Sequence, residues 1–170
     1  MVEIRKYLWF FPFIGGLIAI ISFLAPAASF IYQSPSYNTE FYRWMLDFYF
    51  SHVYEFGIHT TTMGLNTSLT GYISFTISFL IIGFSIFIII SANKYRKGIL
   101  IHKINWLIYA LLTVILSIIW MVMKEISTMI SFNHSFWGLL SPGFGIIGLF
   151  LGAGLEIVGY IFLKKRLRKG

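Results

Sequence analysis

SPGFGIIGLFLGAGLEIVGYIFLKKRLRK, residues 141–169, sets how the rest of the chain is read. It opens on Ser141 and Pro142, a helix-start signal. The serine caps exposed N–H groups, and the proline takes the first helical position, where a missing N–H costs nothing. The stretch stays apolar to Leu163 and closes on Lys164, Lys165, Arg166, Arg168 and Lys169. Residues 141–163 therefore predict a membrane-crossing helix with its basic end on the cytoplasmic side. Gly145, Gly148, Gly152, Glu156 and Gly159 recur every three or four residues, so one helix face is nearly bare backbone carrying a single carboxyl group. Lipid supplies no hydrophobic drive between helices, and small residues that permit close approach set where helices meet. Gly145, Gly148, Gly152 and Gly159 are thus the expected packing seam.

Composition agrees with a hydrocarbon environment. Of 170 residues, 58% are hydrophobic, 19% aromatic and only 11% charged, too apolar for a water-soluble domain of this length. The net charge of +7 clusters beside apolar runs, where it sets topology and meets anionic inner-leaflet lipid; nucleic acid is not an expected partner. There are no cysteines, which removes disulfides, thiol redox chemistry and cysteine-held metals.

Moving outward, four apolar runs are expected to cross the membrane: residues 7–30, 71–93, 104–123 and 141–163. The first carries Gly15, Ala19 and Ser22 as a second small-residue stripe. It ends near Ala25-Pro26-Ala27, a triplet that also suits signal cleavage, although the run is long for a signal core and a retained helix is favoured. Between the first two runs, residues 31–70 are polar yet rich in aromatics. Glu40, Arg43, Asp47 and Ser51 keep helical spacing, with Phe41, Trp44, Met45, Phe48 and Val53 around the other side, which predicts an amphipathic helix lying at the membrane surface. Lys94, Arg96, Lys97 and Lys103 crowd the middle hairpin, and Lys124 and Glu125 close the third run.

The basic residues also give an orientation. Two of the 13 lysines and arginines lie in the amino end, four in the middle hairpin and five in the tail, leaving only Arg43 and Lys124 for the other two connections. The positive-inside rule then places both termini in the cytoplasm and the aromatic loop outside, in a multi-pass protein of the cell membrane. Two glycosylation-like triplets, starting at Asn66 and Asn133, fall in the predicted outer loops.

Chemistry is sparse. Glu156 lies eight residues before Lys164, roughly 12 Å along the helix, and is the ionisable group placed well inside a predicted span. Intramembrane carboxyls are costly and face bundle interiors or water, so Glu156 has two readings. It is either a protonated group that hydrogen-bonds a neighbouring span and fixes register, or part of a proton or cation pathway. Residues 143–148 match G-x-G-x-x-G, but the motif needs a βαβ unit and an acidic residue about 20 positions on, and close helix packing accounts for these glycines better. His52, Glu55 and His59 are zinc-ligand types, yet Gly57 interrupts them and the spacing is not H-E-x-x-H, so no metal site is expected. No nucleophile elbow, phosphate-binding loop or haem ligand inside a span is present, and neither an enzyme nor a cofactor is expected.

Phe11-Pro12-Phe13-Ile14-Gly15-Gly16, Ala25-Pro26-Ala27-Ala28, Phe136-Trp137 and Pro142-Gly143-Phe144-Gly145 resemble a group of uncharacterised archaeal four-span membrane proteins, over most of the chain. The layout is also distantly similar to that of the claudins, without the cysteine pair of their first loop. The resemblance implies a topology and no activity.

The expected architecture is thus one all-α domain, a four-transmembrane-helix antiparallel bundle with an outer amphipathic helix in the first extracellular loop. The expected function is a non-enzymatic membrane scaffold or interaction protein that associates with itself or with other membrane proteins. The alternative is a small transporter or channel component using Glu156.

Overall fold

The computed structural model describes residues 7–99, 101–102 and 104–167, the side chains of residues 165–167 excepted. The amino end with Glu3, Arg5 and Lys6, the hairpin's Lys103, and Arg168 and Lys169 of the tail lie outside the described residues, as do the side chains of Lys165 and Arg166.

The order is α1 (Phe10–Ser22), β1 (Ala28–Gln33), β2 (Tyr37–Arg43), β3 (Phe48–Glu55), β4 (Ile58–Leu65), α2 (Leu69–Arg96), α3 (Ile104–Phe132), α4 (Phe136–Leu139), β5 (Ser141–Pro142) and α5 (Phe144–Leu167). Among the described residues, three helices, α2, α3 and α5, are long and apolar enough to cross a membrane. Their ends follow local chemistry. After α2, Gly98 takes a φ of 78° while its N–H reaches the Tyr95 carbonyl and the Ile99 N–H reaches that of Lys94, the paired bonds of a Schellman stop. After α3, Asn133 adopts a φ of 54° and donates its N–H to Met129 at 3.0 Å.

The all-α four-span expectation is overturned in two places. The amphipathic helix expected within residues 31–70 is instead an antiparallel sheet of order β4-β3-β2-β1-β5. Glu40, Arg43, Asp47 and Ser51, spaced as on one helix face, are distributed over β2, β3 and the loop between them. The Tyr, Phe, Thr and Val content of this segment suits a pleated surface, where cross-strand pairs such as Tyr42 opposite Phe50 can form. Phe56 and Gly57, with φ of 46° and 86°, then supply the two left-handed residues of a tight hairpin turn between Glu55 and Ile58.

The first span is the second correction. α1 has 13 residues, about 20 Å of helix against the ~30 Å of a hydrocarbon core. Residues Ala28–Phe30, expected to continue it, enter β1 instead. The backbone around Pro26 is taken up by other partners: the Ala27 N–H bonds Arg43, and the carbonyls of Pro26 and Ala27 accept the N–H groups of Gly145 and Gly143 at 2.9 and 2.8 Å. This also displaces the expected helix start. Ser141 and Pro142 pair with Ser29 and Ala28 as β5, and α5 begins only at Phe144, with two of the N–H groups at its start held by a distant loop.

The chain divides into two compact units. One comprises Met1–Ile21, Phe79–Leu116 and Gly148–Gly170, and a core cluster of Leu8, Ala92, Trp106 and Leu163 lies within it. The other comprises Ser22–Ser78 and Ser117–Ile147, holds the sheet, and includes a cluster of Ala28, Phe136 and Leu140.

Candidate functional site

Among the described residues, three features stand out: the Glu156 seam, a buried ion cluster and an open sheet edge.

The seam lies in the first unit. A Cβ placed on Gly152 would stand 2.6 Å from the Gly15 carbonyl oxygen, and one on Gly15 would stand 2.5 Å from that of Gly152. Gly159 packs on the ring of Pro12, with a Cβ there 2.7 Å from Pro12 Cδ, while Gly148 is buried on α5. Gly145 belongs to the second unit and lies against Ala25 and Ala27. At the Gly15–Gly152 crossing, helix α5 therefore meets α1 backbone to backbone. Glu156 sits in that contact, 1% exposed, with its Cγ against Gly15. Its Oε2 is buried with no hydrogen-bond partner among the described residues, an arrangement that costs on the order of 1–3 kcal/mol.

The ion cluster lies in the second unit and is centred on Asp47. This residue closes the β2–β3 loop at a φ of 62°, a left-handed conformation that aspartate tolerates better than most side chains. Its Oδ1 accepts from Arg43 Nε at 2.5 Å, and its Oδ2 accepts from Lys124 Nζ at 2.6 Å and Asn66 Nδ2 at 3.0 Å. Asp47 and Lys124 are each 1% exposed and the Arg43 side chain 18%. One loop turn earlier, the Met45 carbonyl accepts from Trp120 Nε1 at 3.1 Å, so α3 grips the loop through two of its buried side chains. Sequence reasoning put Lys124 at the end of a span, yet α3 continues for two further turns to Phe132. A lysine satisfied by a buried carboxylate does not end a helix. The neighbouring Glu125 accepts the Trp137 N–H at 3.1 Å and holds α4 against α3. Asn66, the first residue of a glycosylation-like triplet, is a structural donor to Asp47.

The remaining expected ligands lie on strands. His52 on β3 and His59 on β4 have rings 5.6 Å apart, and His59 also contacts Tyr54. Among the described residues no group of three or more His, Cys, Asp or Glu side chains is placed to hold a metal. The G-x-G-x-x-G stretch follows a two-residue strand antiparallel to β1, and Gly143 and Gly145 pack on the Pro26–Ala27 backbone.

Strand β4 is the outer strand of the sheet and is exposed along nearly its whole length. It carries no charged residue and no proline, and Ile58 is 69% and Met63 64% exposed. The opposite edge is the two-residue β5, which contains Pro142. No protein-family model matches this sequence, and no curated protein is significantly similar to it.

Proposed function

We propose that the chain is a non-enzymatic, multi-pass interaction protein of the cell membrane that pairs with a second copy of itself through the β4 edge. The open edge carries this reading. Sheet edges are normally guarded by charge, proline or bulges because their free N–H and C=O groups recruit another strand. Here one edge is short and proline-bearing and the other has no such guard. A single open edge gives a closed two-fold pair and not a filament. The clustering of basic residues beside the apolar runs favours the α2–α3 hairpin and the basic carboxy end of the sequence as the cytoplasmic side, against anionic lipid.

The absence of native cysteine makes the test clean. Thr61→Cys in native membranes is expected to give a cross-linked dimer with a short bifunctional reagent. The two-residue turn makes Glu55 and Ile58 a hydrogen-bonded pair, so alternation along the ladder turns the Met63 N–H outward. Met63→Pro therefore spares the β3–β4 ladder. It should cut cross-linking about ten-fold, the ~1.4 kcal/mol that one or two lost hydrogen bonds represent. Unchanged cross-linking with proline at the edge would remove this interface.

A second reading, carriage of protons or cations through Glu156, has the unpartnered Oε2 in its favour. Glu156→Met separates the two. For an interaction protein the variant unfolds later, by about 1–3 kcal/mol, because an unsatisfied polar atom leaves the interior, and cross-linking is unchanged. For a carrier, reconstituted wild-type protein moves ions across liposomes and the variant does not.

A further inference from the structure

Two adjoining hollows of the second unit have opposite characters. The first is a groove of about 590 Å3 on the outer half of α3, walled by Ile118, Val122, Ile126 and Ile130. The second is a cavity of about 630 Å3 between the sheet and α3, with Arg43, Asn66, Ser68 and Thr128 in its wall. Thr70, Ser127 and Ser131 line both. The groove wall is apolar and exposed on a helix long enough to cross a membrane, a surface suited to hydrocarbon. The cavity wall is rich in hydroxyls, and Arg43 is its one charged residue.

The charge count beside that cavity is uneven. Arg43 and Lys124 share the single carboxylate of Asp47, which leaves one positive charge in excess where burial has removed most of the water. An anion in the cavity would offset it, and a guanidinium with hydroxyls beside it is suited to a phosphate or carboxylate head.

We propose that the groove and cavity together form a binding site for one anionic membrane lipid, its acyl chain along Ile118, Val122 and Ile126 and its head beside Arg43 and Ser131. A helix from a second copy would fill the groove equally well but would leave the excess positive charge of Arg43 and Lys124 over Asp47 unbalanced. The lipid satisfies both ends. The site does not depend on the β4 edge.

The test is native mass spectrometry of the purified full chain in detergent, titrated separately with phosphatidylglycerol and with phosphatidylcholine of the same chains. One retained phosphatidylglycerol per chain is expected, held at least five-fold more strongly than phosphatidylcholine. Ser131→Glu, which adds an anion at the cavity mouth without touching Asp47, should weaken retention about ten-fold. Ile126→Trp, which fills the groove, should do the same, with thermal unfolding as the check that both variants fold. Equal retention of the two lipids, retention indifferent to both variants, or several equivalent lipids per chain would overturn the proposal. So would displacement of phosphatidylglycerol by millimolar inorganic phosphate, because a site that phosphate alone can occupy has no use for the groove.

Discussion

Asp47→Ala is expected to lower stability by about 3–5 kcal/mol, measured as unfolding of the purified protein in a fixed detergent. The carboxylate is the only acceptor for Lys124 Nζ among the described residues, and that lysine is 1% exposed. Removing it leaves an ammonium group and most of a guanidinium in a low-dielectric interior, which is the expensive way to break a buried pair. The backbone contributes separately, since alanine is poorly suited to a φ of 62°. Asp47→Asn keeps a residue that tolerates this conformation and should cost less than alanine. Lys124→Met should also cost less, because Asp47 retains Arg43 and Asn66 as donors. The double variant Asp47→Ala with Lys124→Met removes the buried ammonium together with its carboxylate and should recover part of the loss, the Arg43 guanidinium and the left-handed φ remaining uncompensated. If the double variant were no better than the sum of the single ones, the pair would not be coupled as the geometry requires.

Gly152→Leu is the second large effect. Even its Cβ would stand 2.6 Å from a backbone carbonyl oxygen on α1, an atom that cannot swing away like the tip of a side chain. Helices α1 and α5 would have to separate, at ~3 kcal/mol or more, the upper end of overpacking costs. Gly152→Ala should already lower stability measurably. Gly154, two residues on in the same helix, has no heavy atom within 4 Å of an added Cβ. Gly154→Ala should therefore be neutral or raise stability by up to ~1 kcal/mol through helix propensity. The same substitution thus changes sign within one turn of α5. Thermal unfolding of the two alanine variants side by side checks it, and equal effects would mean that α5 does not meet α1 through this face.

The functional proposal and the lipid site both draw on residues 31–70, where the reading by helical period went wrong. Glu40, Arg43, Asp47 and Ser51 match a helical spacing, but short polar segments match several periods at once. The better signal was chemical: Tyr, Phe and Thr at high density, with Phe56-Gly57 between two such runs as a turn. Glu156 was legible because a carboxyl inside 23 apolar-rich positions, 141–163, stands out on composition alone. Lys124 was not, because a charge at the end of an apolar run looks like a boundary until its partner 77 residues away is known.

Local chemistry therefore determined the three long apolar helices, the glycine stops and the bare face of α5, since hydrocarbon length, left-handed backbone and missing side chains are properties of neighbouring residues. Folding in three dimensions decided the rest. Where α1 ends, where α5 begins and why Lys124 is buried each depend on a hydrogen bond or ion pair between segments far apart in the chain. The free energy of such a contact belongs to the pair, and neither partner carries it alone.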